Sequence, residues 1–376
     1  MSDHTSDPGS GTQVPGANGG LSPAEFAVLV EEARAKGSAR LPGIDDAFVV
    51  IPRYGSAIHT SPFLGVEKLL APPRHRAAYS DRTAWLMAAL SRLAYDSFET
   101  PEGRAALMAT LAHGKLVLIE TLNDEASGTQ GYVALRENAF AVLAFRGTEK
   151  DRKDILRDVN ARFFATPQGK AHAGFATAYQ AVDGMVREAL DRIGPERMPE
   201  GLFVTGHSLG GALATVATQD LEEHYLVSAC YTFGSPRVGV AEWSDSVKTP
   251  VYRVVNGADS VPMVPFSAVF ATVLGWLPNL PMLQFLRRPV DWVIARGFLG
   301  YQHVGDLRYI CGGREAARLK CGSAASWARF RHVVIGCFGS LLKSFSPKGL
   351  SALFADHAVL GYRDMLRDIA RRRNID

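Results

Sequence analysis

The sequence predicts an α/β fold: a central, mostly parallel sheet with helices on both faces. Three observations carry this. Short, nearly continuous apolar runs read as buried strands: AFAVLAFRGT (139–148), GLFVTG (201–206), SACYTFGSP (228–236), VYRVVNGAD (251–259) and LRYIC (307–311). Helical patterns at 172–193 and 211–224 separate the earlier runs, and strand–helix–strand alternation is how parallel pairing reads. The chain is 47% apolar and 21% charged, and neither a repeat nor a linker divides residues 21–376, so one large domain is expected.

The elements follow in order. Residues 1–20, MSDHTSDPGSGTQVPGANGG, are polar and rich in Gly, Ser and Pro, and are expected to be disordered. They lack a basic stretch followed by an apolar core. No secretory leader is read, so the default expectation is a cytoplasmic protein, with peripheral membrane attachment or signal-independent export as the alternatives. Residues 22–36 read as a helix capped by Ser22, with Pro23 in the first turn and Glu25 near it. Residues 80–97 read as a second helix with Trp85, Leu86, Ala89 and Leu93 at helical spacing. KLVLIETL (115–122) and GYVALREN (131–138) read as a hairpin or meander. Residues 358–373 close the chain as a helix whose Arg371, Arg372 and Arg373 suit a C-terminal dipole.

Composition excludes some functions. A net charge of +3 is too small to argue for nucleic acid. Cys230, Cys311, Cys321 and Cys337 form no C-x-x-C pair, so neither a zinc site nor a disulfide framework is expected, and free thiols are. No metal or cofactor is implied, and the oligomeric state stays open.

The chemistry concentrates at VTGHSLGGALA (204–214). Ser208 directly follows a predicted strand and directly precedes a predicted helix. A tight turn there lifts the hydroxyl out of the sheet and crowds the residues two before and two after it, where Gly206 and Gly210 lack a Cβ. The helix N-terminus sets positive partial charge beside the serine. A serine hydroxyl needs a base, and the base needs an orienting carboxylate, in the chain order Ser, acid, His on such a sheet. Asp259 ends the VYRVVNG strand, where α/β sheets place their chemistry. Asp220, Asp245 and Asp291 have no strand ahead of them. For the base, His357 in ADHAVLGY follows the last strand and starts the last helix; His303 in YQHVGDLRY is the alternative. His207 reads as structural, and His172 and His332 as satisfied by local hydrogen bonds. The backbone N–H of Leu209 is one oxyanion donor, and Thr148, ending AFRGT, is the second.

Together VLAFRGT, HAGF, VTGHSLGGALA, YTFGSPRVG, VVNGADSVPMVP, YQHVG and DHAVLGY resemble the successive motifs of the class 3, or fungal-type, lipases, from about Tyr79 to Tyr362. The resemblance implies an α/β-hydrolase fold and ester hydrolysis on lipid substrates. It implies a triad of Ser208, Asp259 and His357, an oxyanion hole of Thr148 and Leu209, and no cofactor. The stretch between VPMVP and GYQHVG is longer than in simpler members.

That stretch carries an apolar insertion, 263–300. Residues 260–286 have no charge, but Pro278 and Pro281 break a helix there, so a membrane span is rejected. It reads either as core or as an interfacial cap presenting Phe266, Phe270 and Trp276 to a lipid surface. Residues 149–164 place Ile155, Leu156 and Val159 on one apolar face, as a lid over the site or as an ordinary surface helix. The expected function is a serine ester hydrolase that cleaves acyl esters of lipids, such as glycerides, through an acyl-enzyme. The alternatives are a phospholipase A-type hydrolase, supported by Arg287 and Arg288, and a lipid-binding scaffold on an inactive hydrolase fold.

Overall fold

A computed structural model describes residues 61–63, 70, 78–96, 98–147, 163–257, 259–265, 300–312, 317–329, 331 and 355–373. Its main sheet runs β1 (Val117–Asp124), β2 (Thr129–Arg136), β3 (Phe140–Phe145), β6 (Leu202–His207), β7 (Val227–Phe233), β8 (Val251–Asn256), β9 (Asp306–Cys311) and β10 (Arg318–Cys321). Between the first and second halves in sequence lies a separate hairpin of β4 (Phe163–Thr166) and β5 (Gly169–His172). Strands β3, β6, β7, β8 and β9 are mutually parallel. The meander β1–β2–β3 flanks them on one edge, and β10 pairs antiparallel on the other.

Strand alternation sorts the side chains into two cores. Along β3, Phe140, Val142 and Ala144 join one core, and Ala141, Leu143 and Phe145 join the other. The first core holds α1 (Asp81–Leu93) and the last helix, α6 (Val359–Arg373); the second holds α3 (Ala173–Ile193) and α4 (Leu209–Leu221). Helices on both faces explain why the central strands read as unbroken apolar runs. Helix α1 starts where Ser80 Oγ accepts the Thr83 N–H and is buried nearly all round, beyond the single apolar face its spacing suggested. The helix α2 (Pro101–His113), capped by Thr100 with proline in its first turn, completes the first half. A short helix, α5 (Ala241–Ser246), follows β7.

The structure alters some boundaries. Helix α4 begins at Leu209, two residues before the expected 211, so Ser208 caps it directly. Phe163 and Phe164 lie in β4 and not in a helix running through 164, because β4 pairs with β5 in register Phe163↔His172. The segment 1–20 expected to be disordered, the helix expected at 22–36, Thr148, Ile155, Leu156, Val159, Phe266, Phe270, Trp276 and His332 lie outside the described residues; of the insertion only 263–265 and 300 fall within them. Among the described residues no helix is long and apolar enough to cross a membrane. Cys230, Cys311 and Cys321 are free thiols.

The strand ends are held level. Phe145 on β3 pairs with Gly206 on β6, and His207 with Phe233 on β7. A Cβ on Gly206 would sit 2.1 Å from the Gly210 carbonyl oxygen, and one on Gly210 would sit 2.5 Å from the Phe145 oxygen. Both obstacles are backbone, so neither can swing aside. Gly206→Ala is therefore expected to destabilise the fold by at least about 2 kcal/mol in urea unfolding. Gly184→Ala, on α3 with open space around it, is expected to stabilise by about 0.5–1 kcal/mol. Equal effects of the two would contradict the steric account of the turn.

Candidate active site

Ser208 stands at φ 58° and ψ −129°, a left-handed backbone that a residue with a Cβ adopts only under constraint. The constraint is visible. Its N–H donates to the Phe233 oxygen at 2.9 Å, and its carbonyl accepts from the Gly211 N–H at 2.9 Å. The side chain is thereby turned from the sheet toward the loops beyond the strand ends. Leu209 is the first residue of α4, so its N–H has no carbonyl within the helix to donate to.

The structure brings Ser208, Asp259 and His357 together from the turn after β6, the turn after β8 and the 3-10 turn Ala355–His357. His357 Nε2 lies 2.9 Å from Ser208 Oγ, and His357 Nδ1 lies 2.8 Å from Asp259 Oδ2. All three are buried, Asp259 with no exposure at all. An ionised carboxylate only accepts, so Nδ1 donates to it; Nε2 of the neutral ring is then free to accept the serine proton.

Asp259 is held by more than the imidazole. Tyr362 Oη donates to Oδ2 at 2.5 Å, and the Val261 N–H donates to Oδ1 at 3.0 Å. Burial pushes the carboxyl pKa up, but the His357 imidazole and the hydrogen bonds from His357, Tyr362 and Val261 outweigh it, leaving the pKa below the ordinary value. Burial and the neighbouring Asp259 charge hold the Tyr362 hydroxyl well above its usual range, so it stays a donor.

His357 has its own support, which no sequence signal announced. His207 Nε2 lies 2.6 Å from the His357 carbonyl oxygen, and Tyr95 Oη lies 2.7 Å from His207 Nδ1. A carbonyl only accepts, so Nε2 carries a proton and donates to it, while Tyr95 Oη meets Nδ1 and also lies 3.4 Å from the His207 oxygen. His207, read from the sequence as structural, here holds the backbone of His357. Gly234, with φ 59°, was also missed; a Cβ there would fall 2.6 Å from Asp259 Oδ2. Its place after a buried strand was the available signal. Tyr362 stood in DHAVLGY but was given no role.

His303 is elsewhere: its Nε2 donates to the Pro262 oxygen at 2.7 Å. His172 corrects an expectation, since among the described residues both its ring nitrogens are buried without a hydrogen-bond partner; the ring instead stacks on Phe175 at 4.1 Å. Burial lowers its pKa to about 4, so it is neutral. Among the described residues no group of three or more His, Cys, Asp or Glu side chains is placed to hold a metal.

Asp259 has a depressed pKa, so its stabilisation is present above its unfolded value near ~3.9 and is lost as pH falls through the folded one. Tyr362→Phe removes a donor to that carboxylate. Urea unfolding at pH 7 is expected to show a loss of about 1.5–3 kcal/mol, narrowing as the solution is acidified below that value. A gap that stays constant with pH would contradict a charge-assisted bond.

Comparison with known proteins agrees with this architecture. Residues 142–269 match the class 3 lipase family. A secreted mono- and diacylglycerol lipase of Malassezia restricta is 31% identical over 137 residues, covering 32% of this chain and 46% of that protein. A secreted mono- and diacylglycerol lipase of Fusarium solani is 38% identical over 97 residues, covering 25% and 29%. The chain thus spans less than half the length of these relatives. The structure of lipase II from Rhizopus niveus superposes with a TM-score of 0.50 at 24% identity, covering 65% of this chain and 85% of that one, and shows the shared α/β-hydrolase fold. The expectation of a cytoplasmic protein is corrected here, because these sequence relatives are named as secreted. The chain is similar to the class 3 lipase family over residues 142–269 and is folded as an α/β-hydrolase.

Proposed function

We propose that the chain is a carboxylic ester hydrolase that cleaves acyl esters of lipids such as glycerides. The observation that carries this is the hydrogen-bonded series Ser208–His357–Asp259 on a strained strand-to-helix turn. Ser208 Oγ attacks the ester carbonyl while His357 Nε2 takes its proton. The tetrahedral oxyanion is met by the Leu209 N–H and, in this reading, by Thr148. Collapse expels the alcohol, which receives the proton from His357. Water, activated by the same imidazole, then attacks the acyl-enzyme, and the fatty acid leaves. Asp259 stays ionised throughout and fixes the ring.

The reading takes residues 21–376 as one domain, with 263–300 as an apolar insertion. Phe266, Phe270 and Trp276 there are proposed to contact lipid, and Ile155, Leu156 and Val159 are proposed to line a cover over the site. A cover of this kind shields apolar surface in water and opens where lipid can bury it.

The test is hydrolysis rate against concentration of a partly soluble short-chain glyceride, carried through its solubility limit, with Ser208→Ala as the blank. The variant is expected to lose roughly 10⁴–10⁶-fold in kcat. A jump in rate as droplets form marks a covered, interfacial site. Smooth saturation below the limit marks an open esterase site and removes the cover. No rate above the blank on any glyceride, with release of fatty acid from phospholipid vesicles, would move the substrate to phospholipids; no rate on either would sink the hydrolase reading.

A further inference from the structure

His357 sits in a turn of three residues, Ala355–His357, directly ahead of α6. Proton transfer asks that an imidazole be held to within about 0.5 Å, and a segment this short cannot do that alone. Helix α6 takes the Ala358 oxygen as its first acceptor, from the Gly361 N–H at 2.9 Å and the Tyr362 N–H at 3.4 Å. The Asp356 and His357 oxygens lie ahead of that ladder, and each is met by a side chain from a strand end. Asn256 Nδ2 donates to the Asp356 oxygen at 2.9 Å, and His207 Nε2 donates to the His357 oxygen at 2.6 Å. These bonds span 100 and 150 residues of sequence, so they close only once the sheet has formed.

The same two side chains belong to the residues that carry the partners of His357. His207 ends β6 and directly precedes Ser208. Asn256 ends β8, and its oxygen accepts the Asp259 N–H at 3.0 Å. The Asn256 N–H donates to Tyr362 Oη at 3.0 Å, the hydroxyl that in turn donates to Asp259. One buried residue is thus bonded to the backbone of Asp259 and to the backbone beside His357. Gly257, with φ 45°, leaves room for this approach: a Cβ there would fall 2.2 Å from Asp356 Oδ2.

We propose that Asn256 and His207 are positioning residues for the hydrolysis. Asn256 fixes the spacing of His357 from Asp259, and His207 fixes its spacing from Ser208. Their part in the reaction rests on the hydrolase reading above; their grip on the His357 backbone does not. A displacement of about 1 Å in a reacting group costs on the order of 10²-fold in rate, and neither side chain is placed to bind substrate, so the loss falls on kcat.

The experiment compares the wild type with three variants of the full chain. Asn256→Leu keeps the branched shape without the donor, His207→Phe removes the ring nitrogens, and His207→Gln carries an amide that can replace the Nε2 donor. Turnover of a soluble short-chain ester is measured well below the Tm of every variant. Asn256→Leu and His207→Phe are each expected to lower kcat by about 10–10²-fold with KM within about twofold, and His207→Gln to recover most of the loss. A kcat within about twofold of wild type in either of the first two, a loss carried by KM, or a His207→Gln no better than His207→Phe overturns the proposal. The low-field proton resonance of His357 Nδ1–H, identified by its absence in His357→Asn, gives a reading that needs no turnover. It is expected to broaden or vanish in Asn256→Leu and His207→Phe and to persist in His207→Gln; an unchanged resonance in the first two overturns the grip. A wild type that neither turns over ester nor takes a fluorophosphonate on Ser208 sinks the hydrolase reading instead, and the resonance still decides the grip. Where Asn256→Leu does not fold, Asn256→Asp, which lacks the donor when ionised, and the two His207 variants decide by the same criteria.

Discussion

A carboxylate with no exposure to water is the constraint around which this site is arranged. Burying an ionised group is costly unless its oxygens are met by donors. Asp259 is met from three sides: the imidazole of His357, the hydroxyl of Tyr362 and the backbone N–H of Val261. Each donor belongs to a different segment. The charge therefore ties the end of β8, the turn before α6 and α6 itself into one arrangement. The His357 tautomer follows from it, and so does the acceptor presented to Ser208.

The serine is constrained from the other side. Its backbone strain persists because β6, β7 and α4 together over-determine it, through the bonds to Phe233 and Gly211 and the backbone approach at Gly206 and Gly210. A second relay, Tyr95 to His207 to the His357 carbonyl, runs from the segment after α1 to the base. Ser208 and His357 are thus each positioned by the sheet and its helices, and the loops only deliver them.

Much of this was legible in the sequence, for physical reasons. Buried parallel strands must be apolar on both faces, so VLAF, LFVTG and YTFG announced the sheet. The turn around Ser208 needs glycine at fixed offsets, so it announced itself too. Asp259 and His357 were readable because chemistry in such sheets gathers at strand ends. What was not legible depended on partners distant in sequence. The hairpin β4–β5 is four residues a side and exists by pairing. Tyr95, 112 residues before His207, carries no local signal of its bond. Tyr362 lay inside a quoted motif, yet its hydroxyl reaches Asp259 only once α6 packs against the sheet. Helix α2 is the opposite case, with a threonine cap and a proline start that a closer reading of local signals would have found. The location expected from the N-terminal composition is contradicted by sequence relatives that are named as secreted.

On the proposed function, Ser208 is an activated nucleophile with His357 as its base. Labelling by a fluorophosphonate, mapped to the residue by mass spectrometry and timed in wild type and His357→Asn, tests it most directly. A single adduct on Ser208 is expected in the wild type, forming at least about 10³-fold faster than in the variant. No adduct on Ser208, or equal rates in the two proteins, would contradict it.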